Sequence, residues 1–192
     1  MSVSPSPGRE ALIEEIVARE WAMMQAVVSD GRSLCQQRPG TFRAMRTMTH
    51  SVLSRDTLAS YLGDLRIAGE DGRNLVTEKY ARMEGTIPPL SSSPLIPRIV
   101  AIESAWMRGL CGAFPSAFRE SVAYFERYAS AELETYSDPT LTLLYRDVLA
   151  AREAGRNLVR ERYENLFASL GEGSLAEVEA RARAAAAPGG AP

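Results

Sequence analysis

The sequence predicts an all-α protein, a helical bundle of two tandem three-helix repeats related by a pseudo-twofold axis, with a short C-terminal helix. Three observations support this fold class. Apolar residues recur at the helical spacing i, i+3, i+4 and i+7, and no segment sustains the alternation of a strand. The run Gly-Arg-Asn-Leu-Val occurs twice, at 72–76 and at 155–159. A shift of about 83 residues superimposes these runs and aligns much of the remaining chain, and an internal repeat dictates architecture.

The shift matches polar residues as well as apolar ones. A polar residue that stands at the same place in both copies marks a position to examine for a site, because solvent-facing positions should diverge fastest. Matched pairs include Ile16 and Ile99, Glu20 and Glu103, Phe42 and Phe125, Ser54 and Ser137, Asp64 and Asp147, and Tyr80 and Tyr163.

The first repeat, at about 9–85, contains three predicted helices. Thr41 and Ser54 stand where the second and third should begin, and their hydroxyl oxygens can accept from free N–H groups of a first turn. Pro and Ser residues then break the pattern and predict a linker. The helices are predicted at 9–28, 41–52 and 55–84, and the linker at 86–94.

The second repeat, at about 94–168, follows the same plan. Ser137 is the predicted N-cap of its third helix, and Pro139 lies in the first turn, where a missing N–H does no harm. We expect 9–170 to form one domain, because neither repeat alone could cover its apolar faces. The predicted helices cover 95–111, 116–135, 138–170 and, at the C-terminal end, 174–187; the tails at 1–8 and 188–192 are predicted to be disordered.

Gly72 and Gly155 fall inside the two long predicted helices, where glycine costs about 1 kcal/mol relative to alanine. On a helical wheel Gly72 lies on the apolar face. We therefore expect the long helices to cross each other near these glycines. The alternative is that each glycine marks a local bend.

Composition excludes several classes of function. The net charge is −2, which argues against a nucleic-acid-binding protein, and no apolar run approaches a membrane span of about 18 residues. With no secretory segment at the start, a cytoplasmic location is the default expectation. The single histidine, His50, excludes sites built on several histidine ligands, so any metal would rest mostly on carboxylates, and no residue is assigned as a metal ligand.

Glu20 and Glu103 are the strongest candidates for a catalytic pair. Each lies in the middle of an apolar stripe, where an unpaired carboxylate is expensive and shifts its pKa upward. A structural interpretation pairs them with Arg73 and Arg156 to fix helix register. The functional interpretation brings both carboxylates together near the pseudo-axis, as an acid/base pair or a cation site.

Two function classes stay open. The first is a small-molecule-binding protein or enzyme with a polar site between the repeats, built around Glu20 and Glu103. Its predicted ligand-binding residues are Arg73, Arg156, Asn74, Asn157 and Cys35. The second is a non-catalytic adaptor that docks on a protein partner. The adaptor interpretation rests on outer polar residues of the long helices, namely Asn74, Glu78, Asn157 and Glu161. The sequence identifies no cofactor.

Several motifs carry a resemblance to a known family. They include EIVAREW at 15–21, GRSLCQ at 31–36, TFRAMR at 41–46, LASYLGDL at 58–65, GRNLVTEKYARM at 72–83 and ELETYSDPTLTLLY at 132–145. Together they resemble the bacterial proteins grouped as domain of unknown function 4125, over about residues 10–168. The resemblance implies that the GRSLCQ and GRNLVTEKYARM segments belong to a shared pattern. It implies no activity, because none is assigned to that family.

Overall fold

The computed structural model describes residues 8–27, 34–119 and 121–186, and every regular element in these ranges is an α-helix. The all-α prediction is therefore confirmed for the described chain. Except for Gly8, the tails predicted to be disordered lie outside the described residues. The helices are α1 (Arg9–Gln25), α2 (Leu34–Gln37), α3 (Pro39–His50), α4 (Arg55–Glu70), α5 (Leu75–Glu84), α6 (Leu95–Ala113), α7 (Val122–Leu133), α8 (Asp138–Glu153), α9 (Leu158–Leu170) and α10 (Leu175–Ala186).

Serine caps start the two central helices, as predicted. The Ser54 hydroxyl accepts from the N–H of Thr57 at the start of α4, and the Ser137 hydroxyl accepts from the N–H of Thr140 at the start of α8. Pro139 lies in the first turn of α8. Each cap is worth about 1 kcal/mol, because it satisfies an N–H that has no partner inside the helix.

The prediction of long third helices is wrong, because a left-handed glycine interrupts each one. Gly72, between α4 and α5, has a φ of +68°, and Gly155, between α8 and α9, has the same value. The N–H of Arg73 donates to the carbonyl of Ala68 at 2.8 Å, and that of Gly72 donates to Gly69. These two bonds form a Schellman motif, which terminates a helix.

The predicted crossing at Gly72 and Gly155 is also wrong, and the alternative of a local bend is confirmed. A Cβ added at either glycine would meet no atom within 4 Å, so no neighbouring helix approaches there. What requires glycine is the positive φ, since an L side chain is strained in that conformation. Each sequence repeat therefore supplies four main helices rather than three.

Two short helices also differ from their predictions. The helix predicted at 41–52 is α3, which begins two residues earlier at Pro39; Arg38, not Thr41, is the N-cap. The helix predicted at 116–135 is α7, which begins only at Val122. The N–H groups of Ser116 and Ala117 donate instead to the Glu179 carboxylate of α10, which holds the C-terminal helix against this segment.

One apolar core joins the two sequence repeats. Side chains from α1, α4, α6 and α8 pack together in it, and Ile16, Leu58, Ile99 and Leu141 have no measurable exposure. In the described ranges, no helix is long and apolar enough to cross a membrane.

Reciprocal polar contacts join α4 to α8. The N–H of Ser54 donates to Asp147 at 2.9 Å, and the N–H of Ser137 donates to Asp64 at 3.1 Å. Each carboxylate thus lies at the N-terminus of the other repeat's central helix, where the helix dipole favours negative charge. Because each aspartate lies in the later half of its own helix, α4 and α8 run antiparallel.

Candidate functional site

A buried cluster of charges lies where α1, α3, α5 and α7 meet. Arg46 of α3 is at its centre and is 5% exposed. Its guanidinium donates to Glu20 of α1, from Nε to Oε2 at 2.8 Å, and to Glu132 of α7, from Nη2 to Oε1 at 2.7 Å. One arginine therefore bridges two buried carboxylates that lie on different helices.

Glu20 is saturated with hydrogen bonds. Besides Arg46, the Tyr61 hydroxyl donates to its Oε1 at 2.8 Å, and His50 Nε2 lies 3.2 Å from both carboxylate oxygens. Burial by itself raises the pKa of Glu20, but the charge of Arg46 and then the contact with His50 outweigh burial, and the pKa falls to about 2. Glu20 is therefore a fixed anion rather than a group that exchanges protons near neutrality.

Lys79 of α5 completes the cluster. Its Nζ donates to the Tyr128 hydroxyl at 3.0 Å and to Glu132 at 3.4 Å, and it lies 4.6 Å from the centre of the Tyr128 ring. Burial by itself lowers the pKa of Lys79, but the charge of Glu132 outweighs burial and raises the pKa of Lys79 well above its usual value. For Glu132, burial by itself raises the pKa, but Arg46 and Lys79 together hold it well below its usual value. Both groups are therefore ionised.

Glu103 of α6 is buried like Glu20, but its partners differ. Its Oε1 accepts from Nη2 of Arg162 in α9 at 2.7 Å. Within the described part of the chain, Oε2 receives no hydrogen bond, and the buried Nε of Arg162 has no acceptor. This ion pair is therefore only partly satisfied by protein atoms.

The contrast is visible at the positions that the 83-residue shift aligns. Shifting by 83 places Glu103 on Glu20 and Arg162 on Lys79, but the residues that hold Glu20 have apolar counterparts. Ala129 stands in place of Arg46, Leu133 in place of His50 and Leu144 in place of Tyr61. Glu103 therefore has a basic partner at the position aligned with Lys79 but apolar residues at the positions aligned with Arg46, His50 and Tyr61.

The cavity beside Glu103 has a volume of about 440 Å³. Ala129, Leu133 and Leu144, the apolar residues that align with Arg46, His50 and Tyr61, line it. Its polar wall consists mainly of Arg46, Lys79, Glu103, Tyr128, Glu132 and Arg162. Its aromatic wall consists of Phe42, Tyr80, Tyr124, Phe125, Tyr136 and Tyr163. Tyr124 is 42% exposed, which places the cavity in reach of the surface.

The void beside Glu20 is much smaller. Its volume is about 10 Å³, which is room for about one water molecule. Of the two duplicated acids, only Glu103 lines a space that could hold a ligand. Among the described side chains, no three of the His, Cys, Asp or Glu residues lie together as a metal site would require.

Arg73 and Arg156 do not pair with the glutamates, contrary to the structural interpretation of the sequence. Arg73 pairs with Glu78 at 2.7 Å on the surface, and Arg156 pairs with Glu161 in the same way. The helix break is the reason. Each arginine follows the left-handed glycine, so it no longer lies on the face that a continuous helix would present to the core.

Asn74 and Asn157, predicted to bind a ligand, are the N-caps of α5 and α9. Asn74 accepts from the N–H of Thr77 at the start of α5 and donates to the carbonyl of Met23 at 2.8 Å. Asn157 makes the equivalent bonds at the start of α9. Cys35 falls within α2, but its side chain lies outside the described part of the structure.

Sequence reasoning missed Arg46, Lys79, Glu132 and Arg162. One signal could have found two of them. Lys79 and Arg162 occupy matched positions, and both are basic, but a comparison that counts only identical residues does not reveal this. Arg46 and Glu132 have no charged counterpart in the other repeat, so the repeat carries no signal for them.

The fold and the site together define a class, an all-α helical protein with a buried charge cluster beside a cavity. The chain belongs to the family described as "Protein of unknown function (DUF4125)", whose model matches residues 10–180, and this confirms the resemblance found in the sequence. Comparison with curated proteins and with solved structures gives no match.

Proposed function

We propose that this chain is a small-molecule-binding protein whose site is the cavity beside Glu103 and Arg162. The observation that carries the proposal is the partly satisfied ion pair in the wall of a 440 Å³ space. Ligand sites typically have volumes of about 300–1,000 Å³ and combine apolar walls with a few convergent polar groups. A buried ion that lacks hydrogen bonds lowers stability, and a ligand that supplies those bonds would offset the loss.

We infer further that the two repeats are related by a pseudo-twofold axis. The exchanged contacts of Asp64 and Asp147 support this relation, since each repeat gives the other the same interaction. In this interpretation a duplicated unit has diverged. Glu20 is sealed and holds helices together, whereas Glu103 lies next to open space and is free to contact a ligand.

The adaptor interpretation has less support. The outer residues on which it rested have other roles within the chain, since Asn74 and Asn157 cap helices. Glu78 and Glu161 pair with the arginines of the two helix breaks. Their presence in both repeats follows from these local structural roles and needs no protein partner.

The cavity can be tested by filling it. Ala129 is buried in the wall, so Ala129→Phe places a ring inside the space. A fragment library is screened by thermal shift, and the compounds that stabilise the wild type are then tested on the variant. At a concentration of 100 Kd a ligand adds about 2.7 kcal/mol, which raises the Tm by several degrees for a domain of this size.

We expect Ala129→Phe to abolish these shifts, whereas Ala168→Phe, at an exposed position on α9, keeps them. Helical circular dichroism verifies that both variants are folded. Undiminished stabilisation of folded Ala129→Phe by the same compounds would show that they bind elsewhere and would contradict the proposal.

A further inference from the structure

The charges around the cavity balance. Three permanent cations lie in its wall, two of them buried and the third, Arg162, with a side chain that is 13% exposed, and three buried carboxylates lie in the wall or directly behind it. The only other charged group in the wall, Arg38, is exposed and therefore solvated. The cations are Arg46, Lys79 and Arg162, and the carboxylates are Glu20, Glu103 and Glu132.

This balance disfavours a charged ligand. A ligand with a carboxylate or an ammonium group would bring a net charge into a region that has already neutralised its own. Moving a charged group from water into a buried site costs desolvation free energy. That cost is offset only when the site offers an opposite charge that is not already paired. Here Arg46 already donates hydrogen bonds to Glu20 and Glu132, and Lys79 already donates to the Tyr128 hydroxyl.

Both members of the Glu103–Arg162 ion pair have hydrogen-bonding capacity that the described residues do not use. Oε2 of Glu103 is an acceptor that no described residue uses. The Arg162 guanidinium has five N–H groups, and the described residues accept only from Nη2. A primary carboxamide or a lactam edge presents the complementary arrangement, an N–H beside a carbonyl oxygen.

We propose that the cavity binds a neutral, planar molecule through an amide-type edge, whose N–H donates to Glu103 and whose carbonyl accepts from Arg162. This inference rests on the proposed function and specifies its ligand class. The apolar body of the ligand lies among aromatic side chains such as Phe125, Tyr136 and Tyr163, whose rings favour flat partners.

Three probes that share one body and differ at one group test the charge of the ligand. They are naphthalene-2-carboxamide, naphthalene-2-carboxylate and naphthalene-2-carboxamidine, which are neutral, negative and positive at pH 7. Binding to the full chain is measured by isothermal titration calorimetry. We expect the carboxamide to bind at least tenfold more tightly than either ion.

Two variants test whether Glu103 and Arg162 contact the ligand. Glu103→Gln leaves one positive charge in excess and should shift the preference toward the carboxylate. Arg162→Gln leaves one negative charge in excess and should shift it toward the carboxamidine. Glu164→Gln is the matched control, because Glu164 lies on the same helix and pairs with Arg160 at an exposed position. It should leave the order of the three affinities unchanged.

The outcomes separate the two proposals. If none of the probes binds the wild type, the inferred ligand class is wrong, whereas the proposed binding site fails only if Ala129→Phe also leaves the fragment-induced thermal shifts unchanged. If an ion binds more tightly than the carboxamide, the protein is a binding protein but the ligand class is wrong. If the carboxamide binds best and neither variant changes the order, Glu103 and Arg162 do not contact it, which also overturns the inference. The order of the three probe affinities in the wild type decides the ligand class even if a variant fails to fold.

Discussion

At the scale of single residues, Arg46 determines whether the charge cluster is stable. It is the one side chain that hydrogen-bonds both Glu20 and Glu132 within the described structure. Lys79 partly compensates Glu132 but not Glu20, whose other close partners are His50 and the Tyr61 hydroxyl. Loss of Arg46 would therefore leave Glu20 buried without a permanent positive charge. The low pKa of Glu20, about 2, shows how strongly these surroundings favour its anionic form.

Arg46→Leu should lower the free energy of unfolding by about 3–5 kcal/mol, because it breaks a buried ion network and leaves uncompensated carboxylates. Urea denaturation followed by circular dichroism measures the loss. Arg73→Leu is the matched control, because the side chain of Arg73 is 47% exposed and its pair with Glu78 lies on the surface. Such pairs contribute only about 0–1 kcal/mol. Equal effects of the two substitutions would contradict the central role of Arg46.

At the scale of elements, the repeated Gly-Arg-Asn is a helix stop followed by a helix start. Gly72 takes the left-handed conformation and ends α4. The N–H of Arg73 donates to the carbonyl of Ala68 in the Schellman motif, and Asn74 is the N-cap of α5. The second copy repeats each step at Gly155 and Asn157. The break lets the chain change direction, so that α5 and α9 can place Lys79 and Arg162 at the cavity.

Gly72→Ala should destabilise the protein by about 1–2 kcal/mol, the strain of an L side chain in the left-handed region. Gly69→Ala should have the opposite effect. Gly69 is exposed inside α4, where alanine is a better helix former than glycine by about 1 kcal/mol. Unfolding midpoints of the two variants therefore move in opposite directions from the wild type. A stabilising Gly72→Ala would mean that the helix break is not maintained in solution.

Local patterns were sufficient to predict which segments are helical and the caps at Ser54 and Ser137, because the signals lie in neighbouring residues, but they did not fix where every helix begins and ends. The break at Gly72 was missed because apolar spacing continues on both sides of it. The burial of Glu20 and Glu103 was predictable from the apolar stripes around them. Their partners were not, since pairing depends on which helices meet in space and not on the spacing along one helix.

At the scale of the whole molecule, the largest apolar cluster contains residues of both halves, and each half adds a smaller cluster of its own. Ile16 and Leu65 from the first half pack in the same cluster as Ile99 and Val148 from the second. The cavity is a product of this arrangement, because its wall combines Lys79 from the first half with Glu103 and Arg162 from the second. A half that unfolded by itself would expose the shared core and remove part of the cavity wall.

We therefore expect both halves to unfold in a single transition, and the two tryptophans allow a test. Trp21 lies in the first half and Trp106 in the second, and both are half-buried. Trp21→Phe leaves only the reporter in the second half, and Trp106→Phe leaves only the reporter in the first. In each variant the urea midpoint from fluorescence should coincide with the midpoint from circular dichroism of the same variant, as two-state unfolding requires. If instead the fluorescence transition of one half precedes the loss of helix, that half unfolds independently, and the shared core does not couple the repeats.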